Sequence, residues 1–183
     1  MAILKQAIGM LEVKRKGDPS IRVGVNISGQ SIQSEVFFDK MIELLDDTEV
    51  DSSNLLFEIT ESTAIGDLDK VNNLIQRLRV KNFEVCLDDF GAGAASFQYL
   101  NGLDIDCVKI DGKYVRDALN SARDEAMVRN LARMCQDLGV TTIAEMVETQ
   151  EQLDYLVKIG VDKGQGWIFG KPEAKTNYQV REK

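Results

Sequence analysis

The chain has 183 residues, a net charge of −8, three cysteines and no histidine. Its composition, 44% hydrophobic and 28% charged, is typical of a globular domain, and no run approaches the roughly 20 apolar residues that a membrane span needs. Since the charged N-terminus is not a signal peptide either, we expect a cytoplasmic protein that does not bind a membrane. Because the chain is acidic and shows no basic patch, we do not expect it to bind a DNA or RNA polymer.

Short apolar runs alternate with amphipathic stretches along the chain. The apolar runs are mostly continuous, which is typical of parallel strands covered on both faces. The amphipathic stretches repeat apolar residues at helical spacing. Strands are predicted at Ile21–Ile27, Leu55–Ile59, Phe83–Leu87, Cys107–Ile110, Thr141–Ala144 and Gly166–Phe169. Helices are predicted at Ile3–Lys14 and around Phe37–Leu45, Leu68–Leu78, Met127–Leu138 and Leu153–Val157, with Gly139 and Thr149 among their caps.

Successive βα units of about 30 residues indicate one α/β domain over residues 1–183. A complete (β/α) TIM-like barrel typically needs about 250 residues. Six strand signals and an opening helix therefore leave two alternatives, a smaller open sheet or an incomplete barrel of mostly parallel strands.

The missing histidine restricts the chemistry. Acid–base work falls to Asp, Glu, Lys, Tyr or water, and an oxygen-rich metal site favours Mg²⁺, Mn²⁺ or Ca²⁺ over zinc. Cys86, Cys107 and Cys135 lie in apolar runs and form no Cys-x-x-Cys pair. We therefore expect buried, reduced thiols.

Polar side chains stand at the carboxyl end of five predicted strands. A single such residue is usually a helix cap or a turn former. In parallel β/α folds, however, these strand ends share one rim, and carboxylates that converge there need cations or hydrogen bonds to offset their repulsion. The residues are Asn26, Glu58 with Glu61 beyond it, Asp88 and Asp89, Lys109, and Glu145 with Glu148 beyond it.

Six motifs in this order resemble the EAL family of cyclic di-GMP phosphodiesterases. They are Asn26-Ile27-Ser28, Glu58-Ile59-Thr60-Glu61, Asp88 to Gly93, Lys109-Ile110-Asp111, Ala144 to Thr149, and Gln165-Gly166-Trp167 followed by Pro172. The resemblance implies hydrolysis of cyclic di-GMP to 5′-pGpG in bacterial second-messenger signalling. It also implies a two-metal site for Mg²⁺ or Mn²⁺ and fused or partner signalling domains.

The resemblance also implies a role for each residue. The metal ligands would be Asn26, Glu58, Asp88, Asp89 and Glu145. Lys109, Glu145 and Asp89 would carry the catalytic step, with Lys109 orienting or activating the attacking water. Gln165 would help to position the site, Glu61 would brace the loop that begins at Asp88, and Glu148 would support it.

Three departures from the family pattern affect these expectations. The Glu-Ala-Leu motif and the Leu-Arg that follows it are absent from these residues. Ala92, Ala94 and Ala95 replace the polar loop residues, and Met146 replaces a glycine at the rim. We therefore expect weak or no turnover from this chain, with an incomplete metal site.

Three further expectations remain open. A non-catalytic scaffold that binds cyclic di-GMP or a protein partner is the alternative function. A third candidate function is a barrel in which Lys109 forms a Schiff base with the substrate. The surrounding carboxylates disfavour this function because they keep the amine protonated. An incomplete barrel would expose strand edges near Asn26 and Trp167, so we expect a homo-oligomer.

Overall fold

A computed structural model of the chain describes residues 1–14, 17–61, 68–91 and 96–172. Within these ranges the strands form one six-stranded sheet, ordered as in the sequence, and every neighbouring pair is parallel. The sheet curls into part of a barrel, which confirms the predicted incomplete (β/α) barrel. Its strands are β1 (Val23–Asn26), β2 (Leu55–Thr60), β3 (Glu84–Phe90), β4 (Cys107–Ile110), β5 (Thr141–Ala144) and β6 (Lys163–Gly164).

Helices follow each strand from β1 to β5, and one helix precedes β1. Gly139 ends the longest of them in the left-handed conformation, and Thr149 forms a capping box with Gln152 at the start of the last, as the sequence predicts for both caps. The helices are α1 (Ala2–Lys14), α2 (Gly29–Ile32), α3 (Glu35–Asp46), α4 (Leu68–Arg79), α5 (Ser96–Gly102), α6 (Gly112–Asp117), α7 (Ala122–Leu138) and α8 (Gln150–Lys158).

The core lies on one face of the sheet. On β2, Leu55, Phe57 and Ile59 are buried, whereas Glu58 on the opposite face is half-buried. The buried strand residues share one apolar cluster with side chains of α1, α3 and α4. A smaller cluster surrounds Ile110 and Val147, beside α6, α7 and α8. The other face of the sheet is therefore left to line the barrel interior.

All three cysteines are buried and free, as the sequence predicts. Burial raises the pKa of the Cys135 thiol to about 11. At neutral pH this side chain is therefore an apolar packing group and a poor nucleophile.

The prediction of the last strand is wrong. β6 is Lys163–Gly164, and the predicted strand Gly166–Phe169 is a turn in which Phe169 N–H donates to the Gly166 carbonyl at 3.1 Å. An apolar run of this kind predicts a buried strand, yet Trp167 is 58% exposed and Phe169 54% exposed. These aromatic residues lie at the edge of the sheet, where no described strand covers them.

β1 and β6 are the two edges of the sheet within the described residues. Among the apolar side chains near these edges, Trp167 is exposed, Val23 and Ile168 are half-buried, and Val25 is buried. No helix in the described part of the chain is long and apolar enough to cross a membrane.

A candidate metal centre at the strand ends

Lys109 is the centre of the site. It lies on β4, is only 5% exposed, and its Nζ contacts three carboxylates that come from three other parts of the sheet. Glu145 Oε1 lies at 2.8 Å, Asp88 Oδ1 at 3.0 Å and Glu58 Oε2 at 3.3 Å from the ammonium nitrogen. The structure thus brings together four residues that the sequence analysis selected separately.

The parallel register explains this convergence. Glu58 pairs with Cys86, so Asp88, two residues further along β3, points to the same face one step closer to the rim. Ile110 pairs with Ala144, which places Glu145 just beyond the end of β4. β2, β3, β4 and the residue after β5 thereby deliver charged side chains to one rim of the sheet.

The charges of the cluster depend on one another. Burial by itself lowers the pKa of the Lys109 ammonium, but hydrogen bonds to Glu145 and Asp88 and the charge of Glu58 outweigh burial and raise the pKa above its ordinary value. Burial raises the pKa of Glu145, and the hydrogen bond from Lys109 opposes that rise in part. Lys109 is therefore a permanent cation near neutral pH, which argues against a Schiff-base role.

Asp88, Asp89 and Glu145 can share a cation. Each offers one carboxylate oxygen, and the three oxygens lie within 4.8 Å of one another. Asp89 is exposed and has a left-handed backbone, with φ of 56°, an uncommon conformation for a residue other than glycine. An all-oxygen donor set of this kind fits a hard divalent ion such as Mg²⁺ or Mn²⁺.

Asn26 lies at the edge of this cluster. It ends β1 and pairs in register with Glu58, and its side chain is exposed. The structure therefore places Asn26 next to Glu58 of the neighbouring strand, and both are predicted site residues.

Glu61 and Tyr114 hold the backbone that follows Asp89. Glu61 is 3% exposed, and its Oε2 accepts a hydrogen bond from Gly91 N–H at 3.3 Å. The Tyr114 hydroxyl donates to the Gly91 carbonyl at 2.5 Å. Glu61 is one of the site residues predicted from the sequence. Tyr114 has no predicted role, although the aromatic-Val pair Tyr114-Val115 follows Lys109-Ile110-Asp111 in the family resemblance. Ala92, Ala94 and Ala95 lie outside the described residues.

Gln165 and Glu148 lie beside Glu145 along an open groove of about 780 Å³. Both are exposed. The Gln165 backbone joins the end of β5 to the turn after β6, because its N–H donates to the Ala144 carbonyl at 2.8 Å and its carbonyl accepts from Val147 N–H at 3.0 Å. Trp167 also lines the groove, with Lys171 Nζ 5.1 Å from its ring centroid. Both predicted residues thus border the groove next to the Lys109 cluster.

Met146 fits the rim in an unusual conformation. Its φ is 53°, in the left-handed region that favours glycine, and its side chain is half-exposed. The side chain lies over Gly112, where an added Cβ would come within 2.5 Å of the Met146 Cγ and Sδ atoms. The bulk that the sequence analysis expected at the rim is therefore accommodated on the first residue of α6.

Known proteins have similar sequences and folds. The EAL domain family model matches residues 1–172. The chain is 36% identical over 156 residues to the cyclic di-GMP phosphodiesterase PdeB of Shewanella oneidensis. The aligned region covers 85% of the chain and only 18% of that relative. It therefore spans less than a fifth of the length of this curated relative.

Two solved structures extend the similarity to the fold. The PaMucR phosphodiesterase in complex with cyclic di-GMP is 27% identical, with a TM-score of 0.83 over 92% of this chain and 68% of that one. Klebsiella pneumoniae BlrP1, solved with manganese and cyclic di-GMP, is 29% identical, with a TM-score of 0.81 over 91% of this chain and 42% of that one. The chain belongs to the EAL domain family.

Proposed function

We propose that the site hydrolyses one phosphodiester bond of cyclic di-GMP, giving 5′-pGpG, with the help of divalent cations. The observation that carries the proposal is the cluster of Glu58, Asp88 and Glu145 around the buried ammonium of Lys109. The cyclic di-GMP phosphodiesterase PdeB and the manganese and cyclic di-GMP complex of BlrP1 support it, because both resemble this chain.

Mg²⁺ or Mn²⁺ would be held by Asp88, Asp89 and Glu145, with Glu58 and Asn26 at the adjoining end of the cluster. When bound, such ions neutralise phosphate charge and lower the pKa of a coordinated water. The ions also explain how an acidic protein would attract an anionic substrate.

The residues of the chain supply orientation and proton handling. Lys109 remains protonated, so it can donate hydrogen bonds to the attacking water and orient that water. It does not accept the proton that the water loses. Asp89 is the exposed carboxylate of the group, so it is accessible to accept that proton. Glu61 and Tyr114 keep Asp89 in place by fixing the Gly91 backbone on both sides.

A non-catalytic domain that binds cyclic di-GMP or a protein partner is the second candidate. The specific observation in its favour is Met146, which stands where the resemblance predicts a glycine and has a left-handed backbone at the rim beside Glu145. The 183 residues tested alone contain no Glu-Ala-Leu motif, to which the resemblance assigns a metal ligand. Since losing one electrostatic stabiliser typically costs roughly 10²–10³-fold in rate, we expect weak turnover from these residues alone.

We also propose that the protein is a homo-oligomer and works with fused or partner signalling domains. The exposed strand edges at β1 and β6 support the first proposal. The much greater length of PdeB supports the second. The cytoplasmic location stays a prediction of the sequence.

Product analysis tests the proposal. Purified protein is incubated with cyclic di-GMP and Mn²⁺, and the products are separated by chromatography. We expect slow formation of 5′-pGpG that chelation by EDTA and Asp88→Asn both abolish, while Glu151→Gln, at an exposed position of α8, leaves it unchanged. Tight binding without any product would support the non-catalytic candidate. Absence of both binding and product would contradict the assignment of this site to cyclic di-GMP.

A further inference from the structure

Gly24 lies directly beneath the Glu58 carboxylate. The two residues are on neighbouring strands, where Gly24 pairs with Leu56 and Asn26 pairs with Glu58. The Glu58 side chain leans back across β1, so a Cβ atom added to Gly24 would overlap Oε1 and lie 2.9 Å from Cδ. The carboxylate thus occupies the space that any other side chain at position 24 would fill.

The backbone does not itself demand glycine at this position. Gly24 lies in a regular strand, and its φ is outside the left-handed region that disfavours other residues. What requires the missing Cβ is the Glu58 side chain, to which the three nearest atoms all belong.

An added Cβ meets different kinds of obstruction at other glycines. At Gly166 an added Cβ would overlap backbone atoms of Val147, which cannot yield without moving the chain. At Gly102 nothing lies within 4 Å of an added Cβ. At Gly24 the obstructing atoms are the far end of a flexible side chain, so a substitution would move a carboxylate and leave the backbone in place.

That carboxylate is constrained on its other side as well. Glu58 Oε2 lies 3.3 Å from Lys109 Nζ, and its side chain is only 12% exposed. An alanine methyl at position 24 would push the carboxylate away from β1 by roughly 1 Å to reach normal contact distances. The displaced oxygens would then change their distances to Lys109 and to any cation held by the cluster.

We propose that Gly24 is a positioning residue for Glu58, whose missing side chain sets where the carboxylate lies in the site. The consequence for metal affinity rests on the proposed function. The predicted position of the Glu58 carboxylate concerns the metal-free protein and does not depend on the proposed function.

The first test is a crystal structure of metal-free Gly24→Ala beside the wild type. We expect the β1–β2 register to persist while the Glu58 carboxylate moves by roughly 1 Å and its contact with Lys109 changes. The inference is overturned if the carboxylate stays in place and the strand moves instead, since Gly24 would then serve only strand packing.

The second test is Mn²⁺ affinity by calorimetry in the absence of nucleotide. Groups that orient a metal ligand typically contribute 10–100-fold in affinity, so we expect Gly24→Ala to weaken Mn²⁺ binding by about 10-fold at an unchanged unfolding temperature. Gly102→Ala is the matched control and should bind as the wild type does. Wild-type affinity in Gly24→Ala would overturn the inference. Absence of Mn²⁺ binding by the wild type would instead contradict the proposed function, and the metal-free structure would still decide the role of Gly24.

Discussion

At the scale of single residues, Lys109 is the group on which the site depends in the absence of metal. Its ammonium lies between three carboxylates that are each less than one fifth exposed. Removing one member of a buried ion cluster leaves like charges uncompensated, which typically costs 3–5 kcal/mol. The cluster is therefore a source of both stability and pH dependence.

We predict that Lys109→Met lowers the free energy of unfolding by about 3 kcal/mol at neutral pH, measured by urea denaturation without metal. Burial already raises the pKa of Glu145, and losing the ammonium raises it further. The folded variant then binds more protons than the unfolded chain, so its stability falls as pH rises through the carboxylate range. In the wild type, Lys109 has a raised pKa, so its contribution is present up to about pH 10 and is lost only above that.

Lys113→Met is the control for this experiment, because Lys113 is an exposed lysine of α6. It should change stability by no more than a few tenths of a kcal/mol. Equal stability of the wild type and Lys109→Met across pH 5 to 8 would show that the carboxylates do not repel one another as described.

Met146 tests backbone strain at the rim. Its left-handed conformation costs roughly 1–2 kcal/mol for a residue with a Cβ. Comparing two variants that both lack the long side chain isolates that cost. We predict that Met146→Gly is more stable than Met146→Ala by about 1 kcal/mol in thermal unfolding; an alanine variant as stable as the glycine variant would refute the strain.

The residue-scale details show what the sequence leaves open. Glu58, Asp88, Lys109 and Glu145 were predictable because each lies at or just beyond the carboxyl end of an apolar run. The space at Gly24 was not, because it depends on how the Glu58 side chain leans across the neighbouring strand. Strand positions follow from local pattern, whereas side-chain directions depend on contacts between strands.

At the scale of elements, each strand from β1 to β5 lies on a predicted apolar run, although β1 begins two residues later and β3 ends three residues later than predicted. Cys107–Ile110 and Thr141–Ala144 agree with the prediction at both ends. The error at β6 arises because apolar character alone cannot distinguish a buried strand from an exposed aromatic turn. Position decides between them: Gly166–Phe169 lies at the edge of the sheet, where a hydrophobic residue is not necessarily covered.

The turn after β6 depends on Gly166. An added Cβ would overlap the backbone N and O of Val147 and lie 2.7 Å from its carbonyl carbon. Val147 N–H donates to the Gln165 carbonyl, and the Val147 carbonyl accepts from Ile168 N–H, so this contact fixes the groove beside Glu145. We predict that Gly166→Ala destabilises the protein by about 3 kcal/mol in urea denaturation.

Gly102→Ala provides the comparison, since nothing surrounds that position within 4 Å. Its effect should stay below 1 kcal/mol. If the two alanine variants unfold at the same urea concentration, the close approach of Gly166 to Val147 is not a feature of the folded protein.

At the scale of the whole molecule, the sheet has two edges within the described residues, and exposed aromatic side chains lie beside one of them. Unpaired edges tend to associate with another chain. We predict that the 183-residue protein at micromolar concentration scatters light as a two-fold dimer, with twice the 20.4 kDa mass of one chain.

A charged residue near the edge should weaken this association. Trp167→Lys is expected to shift the population towards monomer, because a charge on an edge opposes pairing. Val80→Lys is the control, since Val80 is 83% exposed and follows α4, away from both edges in sequence. A wild-type monomer would reject the dimer, and equal effects of both substitutions would place the contact elsewhere.

The central claim is that the Lys109 cluster is a metal-dependent cyclic di-GMP site. A calorimetric titration of the protein with cyclic di-GMP, with Mn²⁺ and again with EDTA, tests it most directly. We expect binding that is at least 10-fold tighter with Mn²⁺ and a loss of that difference in Glu145→Gln, since Glu145 supplies one of the three clustered carboxylate oxygens. Binding of equal strength with and without metal, unchanged in Glu145→Gln, would contradict the account.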